Sequence, residues 1–188
     1  LSTGHKIISS FFSAYKTEVI IALCWLGVQS WLFYQHGVVT EYEAMKYIAE
    51  ADNILDTGHV STPNFWLYST QIFLIALAKK LHTGYLPVVV VQWFFNALAT
   101  IALYNFARRM SNKMTGAVIT LLLVFNFPFQ TFNSFLQTES LFHSFTLLFS
   151  CYLLSIQRLT LKRFIAIILF LSLLSITRPT GLLWVPAA

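Results

Sequence analysis

Apolar runs of roughly 13 to 21 residues, separated by short polar breaks, recur along this chain, and a membrane-embedded helix bundle is the architecture that accommodates them. Residues are 57% hydrophobic and 10% charged, where a soluble domain carries about a quarter charged residues. The mean hydropathy of +0.68 agrees. Phe, Tyr and Trp make up 16% of the chain, which suits long stretches at membrane interfaces, where amphipathic rings are favoured.

Five runs are expected to span: Val19–Tyr34, Leu86–Phe106, Met114–Phe127, Leu141–Ile156 and Phe164–Ile176. The shorter ones must recruit flanking polar residues. The first follows Lys6 and Lys16 without a small-residue cleavage site, so it reads as a retained anchor. A sixth stretch, Phe65–Ala78, has a length that suits an interfacial helix as well as a span. Basic residues arbitrate. With Phe65–Ala78 on the surface, Lys6, Lys16, Arg108, Arg109, Lys113, Arg158, Lys162 and Arg163 fall inside, eight against the four outside, Lys46, Lys79, Lys80 and Arg178. If it spans, the count becomes five against seven, so the positive-inside rule selects the surface helix.

The same topology gathers Glu41, Glu43, Glu50, Asp52, Asp56 and Glu139 outside and leaves Glu18 near the cytoplasm, although acids did not enter the choice. A working outer face is expected. The net charge of +5 therefore serves orientation, and its Lys and Arg residues, single or paired at the ends of apolar runs, exclude a nucleic-acid surface. Cys24 and Cys151 lie in apolar stretches with no metal-ligand spacing around them, so they read as small core hydrophobes with no zinc site and no disulfide. The chain opens on a leucine and stops at Val185-Pro186-Ala187-Ala188 straight after an apolar segment, so a fragment of a longer protein is expected.

Residues 37–85 form the first outer loop. In it Ala44, Tyr47, Ile48, Ala51, Ile54 and Leu55 recur at helical spacing, with Lys46, Glu50 and Asp52 on other faces. This predicts an amphipathic helix stopped by Gly58, then a break at Pro63 before the second surface helix. Thr40 and Glu43 have the spacing of a capping box, and Glu41 would favour the helix N-terminus, so these acids have a purely structural reading beside any chemical one. Glu50, Asp52 and Asp56 read as a solvated face.

The order of an acid at Glu43, then Ala44, Tyr47, Ala51, Ile54-Leu55 and Gly58, followed by Pro63 and an aromatic-rich helix, resembles the first lumenal or periplasmic loop of polyprenyl-phosphate-sugar-dependent glycosyltransferases of the GT-C fold. In that family an acid near the start of this loop, usually Asp, is the catalytic base. The matching position is Glu43, with Glu41 two residues before it, and Glu in place of Asp departs from the pattern. Thr138-Glu139-Ser140-Leu141-Phe142 likewise resembles a segment of many such enzymes, including the family of the second mannosyltransferase of glycosylphosphatidylinositol assembly. Glu139 enters a helix at the membrane boundary, where an ionisable group is a functional candidate and also complements the helix dipole.

Thr177-Arg178-Pro179-Thr180-Gly181 closes the last span as such enzymes often read. Arg178 can offer a guanidinium fork to a phosphate or snorkel to headgroups. His59, Lys79 and Lys80 could extend a phosphate site, whereas His143 reads as a hydrogen-bonded bundle residue.

The resemblance implies the N-terminal part, residues 1–188, of an all-α polytopic transmembrane bundle. The activity it implies is inverting transfer of a sugar from a polyprenyl-phosphate donor to a lipid, glycan or protein acceptor. Glu43, Glu41 and Glu139 are the catalytic candidates, and Arg178, His59, Lys79 and Lys80 hold the lipid-linked donor. No residues are assigned to a metal, and a divalent ion stays open as a cofactor. The expected location is a bacterial inner membrane with a periplasmic active face, within cell envelope glycan biosynthesis. A transporter or flippase of a lipid-linked sugar and a non-catalytic membrane subunit are the rival readings, and the near absence of charge at the centres of the runs disfavours a transport path.

Overall fold

The computed structural model describes residues 15–187, with side chains to Trp184, so Lys6 and Ala188 lie outside the described residues. Eight α-helices are formed there: α1 (Lys16–His36), α2 (Glu43–Thr57), α3 (Ser69–Lys80), α4 (Leu86–Met110), α5 (Lys113–Val124), α6 (Phe127–Thr131), α7 (Glu139–Leu154) and α8 (Leu161–Thr177). Short 3-10 helices at Pro63–Tyr68, Phe132–Ser134 and Pro179–Ala187 join or follow them. No strand forms among the described residues, only an isolated bridge between Val39 and Phe135.

The expected five spans become two helices long and apolar enough to cross a membrane, α1 and α4, or three if α5 and the Phe127–Ser134 segment are one span bent by 61°. Length is the physical reason. At 1.5 Å per residue, α5, α7 and α8 extend only about 18, 24 and 26 Å, short of a hydrocarbon core of about 30 Å. The expected run Met114–Phe127 ends early because Asn126 caps a new helix with Pro128 in its first turn, the amide oxygen accepting from Phe129 N–H at 3.3 Å. The apolar windows of α1 and α4 are only 22% and 33% buried within the chain. The rest of their surface, including Leu23, Leu26, Phe94 and Ile101, must be covered by lipid or protein.

Helix α2 carries the predicted amphipathic face inward. Ala44, Tyr47 and Ala51 are fully buried against Ile72 and Ile75 of α3, Val88 and Val89 of α4, and Leu136. Gly58 ends it at φ 75°, a left-handed cap that favours glycine. The capping box does not form: Tyr42, at φ 57°, is the residue before the helix, and no side chain caps it. Glu50 is also not solvated. It is buried, and its two carboxylate oxygens accept from Ser61 N–H at 2.6 Å and Ser61 Oγ at 2.5 Å, which folds the loop after Gly58 back onto α2.

Both ends of α3 touch the same end of the bundle. Ser69 and Thr70 lie against the Ile176 carbonyl at the end of α8, while Lys79 pairs with Asp52 and lies 5.9 Å from the Tyr85 ring before α4. That end also receives the C-terminus of α1 and the N-termini of α4 and α7, through His36 against Phe135 and Gln92 donating to the Phe135 and Gln137 carbonyls. At the opposite end Glu18 meets Arg108 and Lys113, the α7–α8 turn carries Arg158, and the first turn of α8 carries Lys162 and Arg163. Six of the seven acids thus share one end with α2 and α3.

Inside the bundle a chain of amides ties α1 to the break after α5. Gln29 donates to Gln130 at 2.7 Å, Asn133 donates to both, and Ser140 of α7 donates to Asn133 at 2.5 Å. All four are buried, and Gln130 also donates to the Leu123 carbonyl, so the amide break is held to α5 as well.

The α4–α5 hairpin turns through Ser111 and Asn112, and Gly116 lets the two backbones meet. A Cβ there would lie 3.0 Å from the Arg108 nitrogen and 3.2 Å from its Cα, which are backbone atoms with little freedom to yield. Gly116→Ala is therefore expected to destabilise the protein by about 1–3 kcal/mol, read as a lower midpoint of thermal unfolding in detergent.

Candidate active site

Proline sets the position of Arg178. The residue before a proline is pushed out of the helical region, and Arg178 adopts φ −159°, ψ 141°, leaving α8 as an extended residue. Its N–H still donates to the Leu174 carbonyl at 3.1 Å, and Gly181 N–H donates back to the Arg178 carbonyl at 2.8 Å. The turn folds so closely onto the last turn of α8 that a Cβ on Gly181 would collide with the Leu174 carbonyl. Arg-Pro-Thr-Gly is thus a device that swings one guanidinium off a helix end and fixes it there.

The partner is Glu139, first residue of α7, whose Oε1 lies 2.5 Å from an Arg178 terminal nitrogen. The carboxylate side chain is 12% exposed and the guanidinium 32%, so the pair is shielded on one side and open on the other. Backbone donors at the start of α7 add a favourable field. Thr138 Oγ1 is 3.5 Å from the other Glu139 oxygen, at the limit of a hydrogen bond.

Glu43 opens α2 and is half exposed. Its Oε1 accepts from Lys46 Nζ at 3.0 Å, and the same ammonium lies 5.0 and 5.4 Å from the Tyr47 and Tyr68 ring centroids. Tyr47 joins the two carboxylates. Its ring is fully buried, and its hydroxyl sits beside Thr138 outside the geometry of a formed hydrogen bond, within the field of both Glu43 and Glu139. Burial first, then these two negative charges, push its pKa well above the ordinary tyrosine value. The parallel bridge adds a backbone tie, with Val39 N–H on the Ser134 carbonyl and Leu136 N–H on the Val39 carbonyl. The segment leading to Glu43 is therefore fixed to the segment leading to Glu139.

The other predicted residues divide plainly. Glu41 is exposed two residues before Glu43, and its carbonyl accepts from Ala44 N–H. Lys79 and Lys80 end α3 about 17 Å along its axis from the Ser69 end that touches α8, and so are not gathered around Arg178. Burial opposes the charge of Lys79, but Asp52 and Tyr85 outweigh it and leave its pKa raised. His59 follows the far end of α2, about 22 Å from Glu43 along the helix, and its backbone bonds to Thr57 and Asn53. His143, one turn on from Glu139, is not hydrogen-bonded among the described residues. It stacks on Phe129 at 4.6 Å, its Nδ1 is buried without a partner, and Glu139 and Arg178 are the charges acting on it.

Tyr47 is the site residue that sequence reasoning left without a role. Its spacing after Glu43 marked it only as part of an apolar face, because a hydroxyl's surroundings depend on Thr138, ninety-one positions later. Among the described residues no three His, Cys, Asp or Glu side chains gather as a metal group. The arrangement offers a carboxylate open to solvent, a phenol enclosed between acids, and a guanidinium with one side free for an anion.

Two outcomes are expected. Tyr47 has a folded pKa above its unfolded value, so its contribution to stability is full below about pH 10 and declines as pH rises beyond that. A thermal-unfolding series across alkaline pH should show this decline, and Tyr47→Phe should flatten it. Gly181→Ala should displace Arg178 and weaken the Glu139 pair, costing about 1–3 kcal/mol of stability, measured by thermal unfolding beside Glu139→Gln.

No family model, no curated protein and no solved structure matches this chain.

Proposed function

We propose that this chain is the N-terminal part of a membrane glycosyltransferase of the GT-C kind, which moves a sugar from a polyprenyl-phosphate carrier to an acceptor hydroxyl at the acidic end of the bundle. The observation that carries the reading is the meeting of Glu43, Tyr47, Glu139 and Arg178 at one end of a helix bundle whose long helices expose apolar surface. In this reading α1, α4, α5, α7 and α8 all cross, the shorter three with help from flanking residues and local bilayer thinning. The end carrying Arg108, Lys113 and Arg163 faces the cytoplasm, which puts the acidic end in the periplasm of a bacterial inner membrane.

The chemistry follows from the charges. Glu43 takes the acceptor proton as that oxygen attacks the anomeric carbon. The carbon–oxygen bond to phosphate breaks, and the leaving phosphate departs with the electron pair. Arg178 receives that charge, with Glu139 holding the guanidinium in place until the phosphate arrives. Lys46, bonded to Glu43 and laid over two tyrosine rings, keeps the carboxylate directed along the start of α2. Long lipid chains have apolar surface on α1 and α4 to lie against, so no soluble nucleotide sugar is needed.

A positioned base contributes about 10²–10⁴ in rate, so Glu43→Gln in the full-length protein should lower kcat by about that factor with unfolding temperature unchanged. Sugar transfer is measured from a radiolabelled polyprenyl-phosphate sugar. Undiminished transfer by that variant removes Glu43 from the role of base. Carrier movement between leaflets without a new glycosidic bond identifies a transporter instead, and neither activity leaves a packing subunit.

A further inference from the structure

Helices α1 and α4 both pack against α5, yet they leave a cavity of about 340 Å³ between themselves at the end away from Glu139. Ile21, Ala22 and Trp25 form one wall, and Ala97, Ile101 and Tyr104 the other. Ile101 is 56% exposed, so the slot opens sideways on the bundle surface. Trp25 Nε1 donates to Asn96 at 2.7 Å, which fixes its indole along the wall.

The mouth is ionic. Glu18 accepts from the Tyr104 hydroxyl at 2.9 Å and from Arg108 at 3.3 Å, and Lys113 Nζ lies 3.1 Å from its other oxygen. The Arg108 guanidinium also lies 5.4 Å from the Tyr104 ring centroid, which holds it over the rim. Two cations thus share one carboxylate. Glu18 is the only acid in the chain away from the α2 end, and Lys16, two residues before it, and Arg109, next to Arg108 in the chain, are both exposed, so this end carries excess positive charge.

We infer that this slot binds an anionic glycerophospholipid, one acyl chain lying along Ile21 and Ile101 and the phosphate answering Arg108 and Lys113. An apolar protein helix would fill the slot and leave the charge unanswered. A soluble anion would answer the charge and leave the slot empty. A choline headgroup would bring its own cation against the guanidinium. An anionic lipid satisfies both parts, and each cation near the surface favours it by about fivefold in binding. The inference stands apart from the transferase reading, since the slot lies at the other end from Glu43.

Trp25 reports occupancy. The full-length protein is reconstituted in phosphatidylcholine bilayers containing a minor share of either brominated phosphatidylglycerol or brominated phosphatidylcholine, and the fluorescence difference from Trp25→Phe isolates this indole. Brominated phosphatidylglycerol is expected to quench Trp25 about fivefold more effectively at equal share. Arg108→Gln should abolish most of that preference, and Ile101→Phe, which fills the slot, should reduce quenching by both lipids. If Arg108→Gln fails to fold, raising the salt concentration on the unaltered protein reads the same charge, because screening should reduce the preference. Equal quenching by the two lipids, or a preference that salt leaves unchanged, overturns the inference. Absence of quenching by either lipid does so too, and assigns the slot to a protein segment.

Discussion

Polar side chains enclosed in this bundle must satisfy one another, and the chain Gln29–Gln130–Asn133–Ser140 is where that constraint decides the architecture. Each member comes from a different local element: α1, α6, the turn after it, and the first turn of α7. Losing one amide would strand its neighbours, at about 1–3 kcal/mol for each unsatisfied group. The network therefore fixes the bent segment between α5 and α7. Ser140 is the residue after Glu139, so the same contacts that bind α1 also orient the acid facing Arg178.

Above that network the candidate site is held by two devices of different character. One is backbone conformation: the Val39–Phe135 bridge and the extended Arg178 enforced by the Pro179 ring set chain direction. The other is a buried aromatic residue, Tyr47, packed among aliphatic neighbours from three helices. Between them they bring acids from positions 43 and 139 and a cation from position 178 into one electrostatic neighbourhood. Tyr42, exposed and at φ 57°, is a strained entry to α2, of the kind that persists when surrounding contacts over-determine it.

What the sequence disclosed follows the range of the interactions involved. The amphipathic face of α2, its stop at Gly58, the helix starting at Glu139 and the departure at Arg178-Pro179 rest on neighbours within a few residues, and periodicity and local backbone preference were enough to find them. Glu50 was misjudged because Ser61, its partner, reaches it only after the chain reverses. The capping box failed for a related reason, since the bridge at Val39 sets the approach to α2 and Thr40 no longer precedes the helix as a cap would. The pairing of Lys79 with Asp52, twenty-seven positions earlier, is likewise a contact that local sequence does not announce. Helix length was the weakest reading: hydropathy marks apolar runs, but Asn126 and Pro128 cut one of them where composition alone continues.

The hairpin of α4 and α5 has a consequence for how the chain is made. Its turn is only two residues long, and Gly116 lets the helices touch from the first turn of α5, so these contacts are local in sequence and need nothing that emerges later from the ribosome. Gln29, by contrast, waits for a partner about a hundred residues downstream. Biogenesis is thus expected in two stages: an early hairpin to which the first helix attaches through Asn96, Tyr104 and Arg108, and a later closing of the buried amides of that helix when translation passes Asn133.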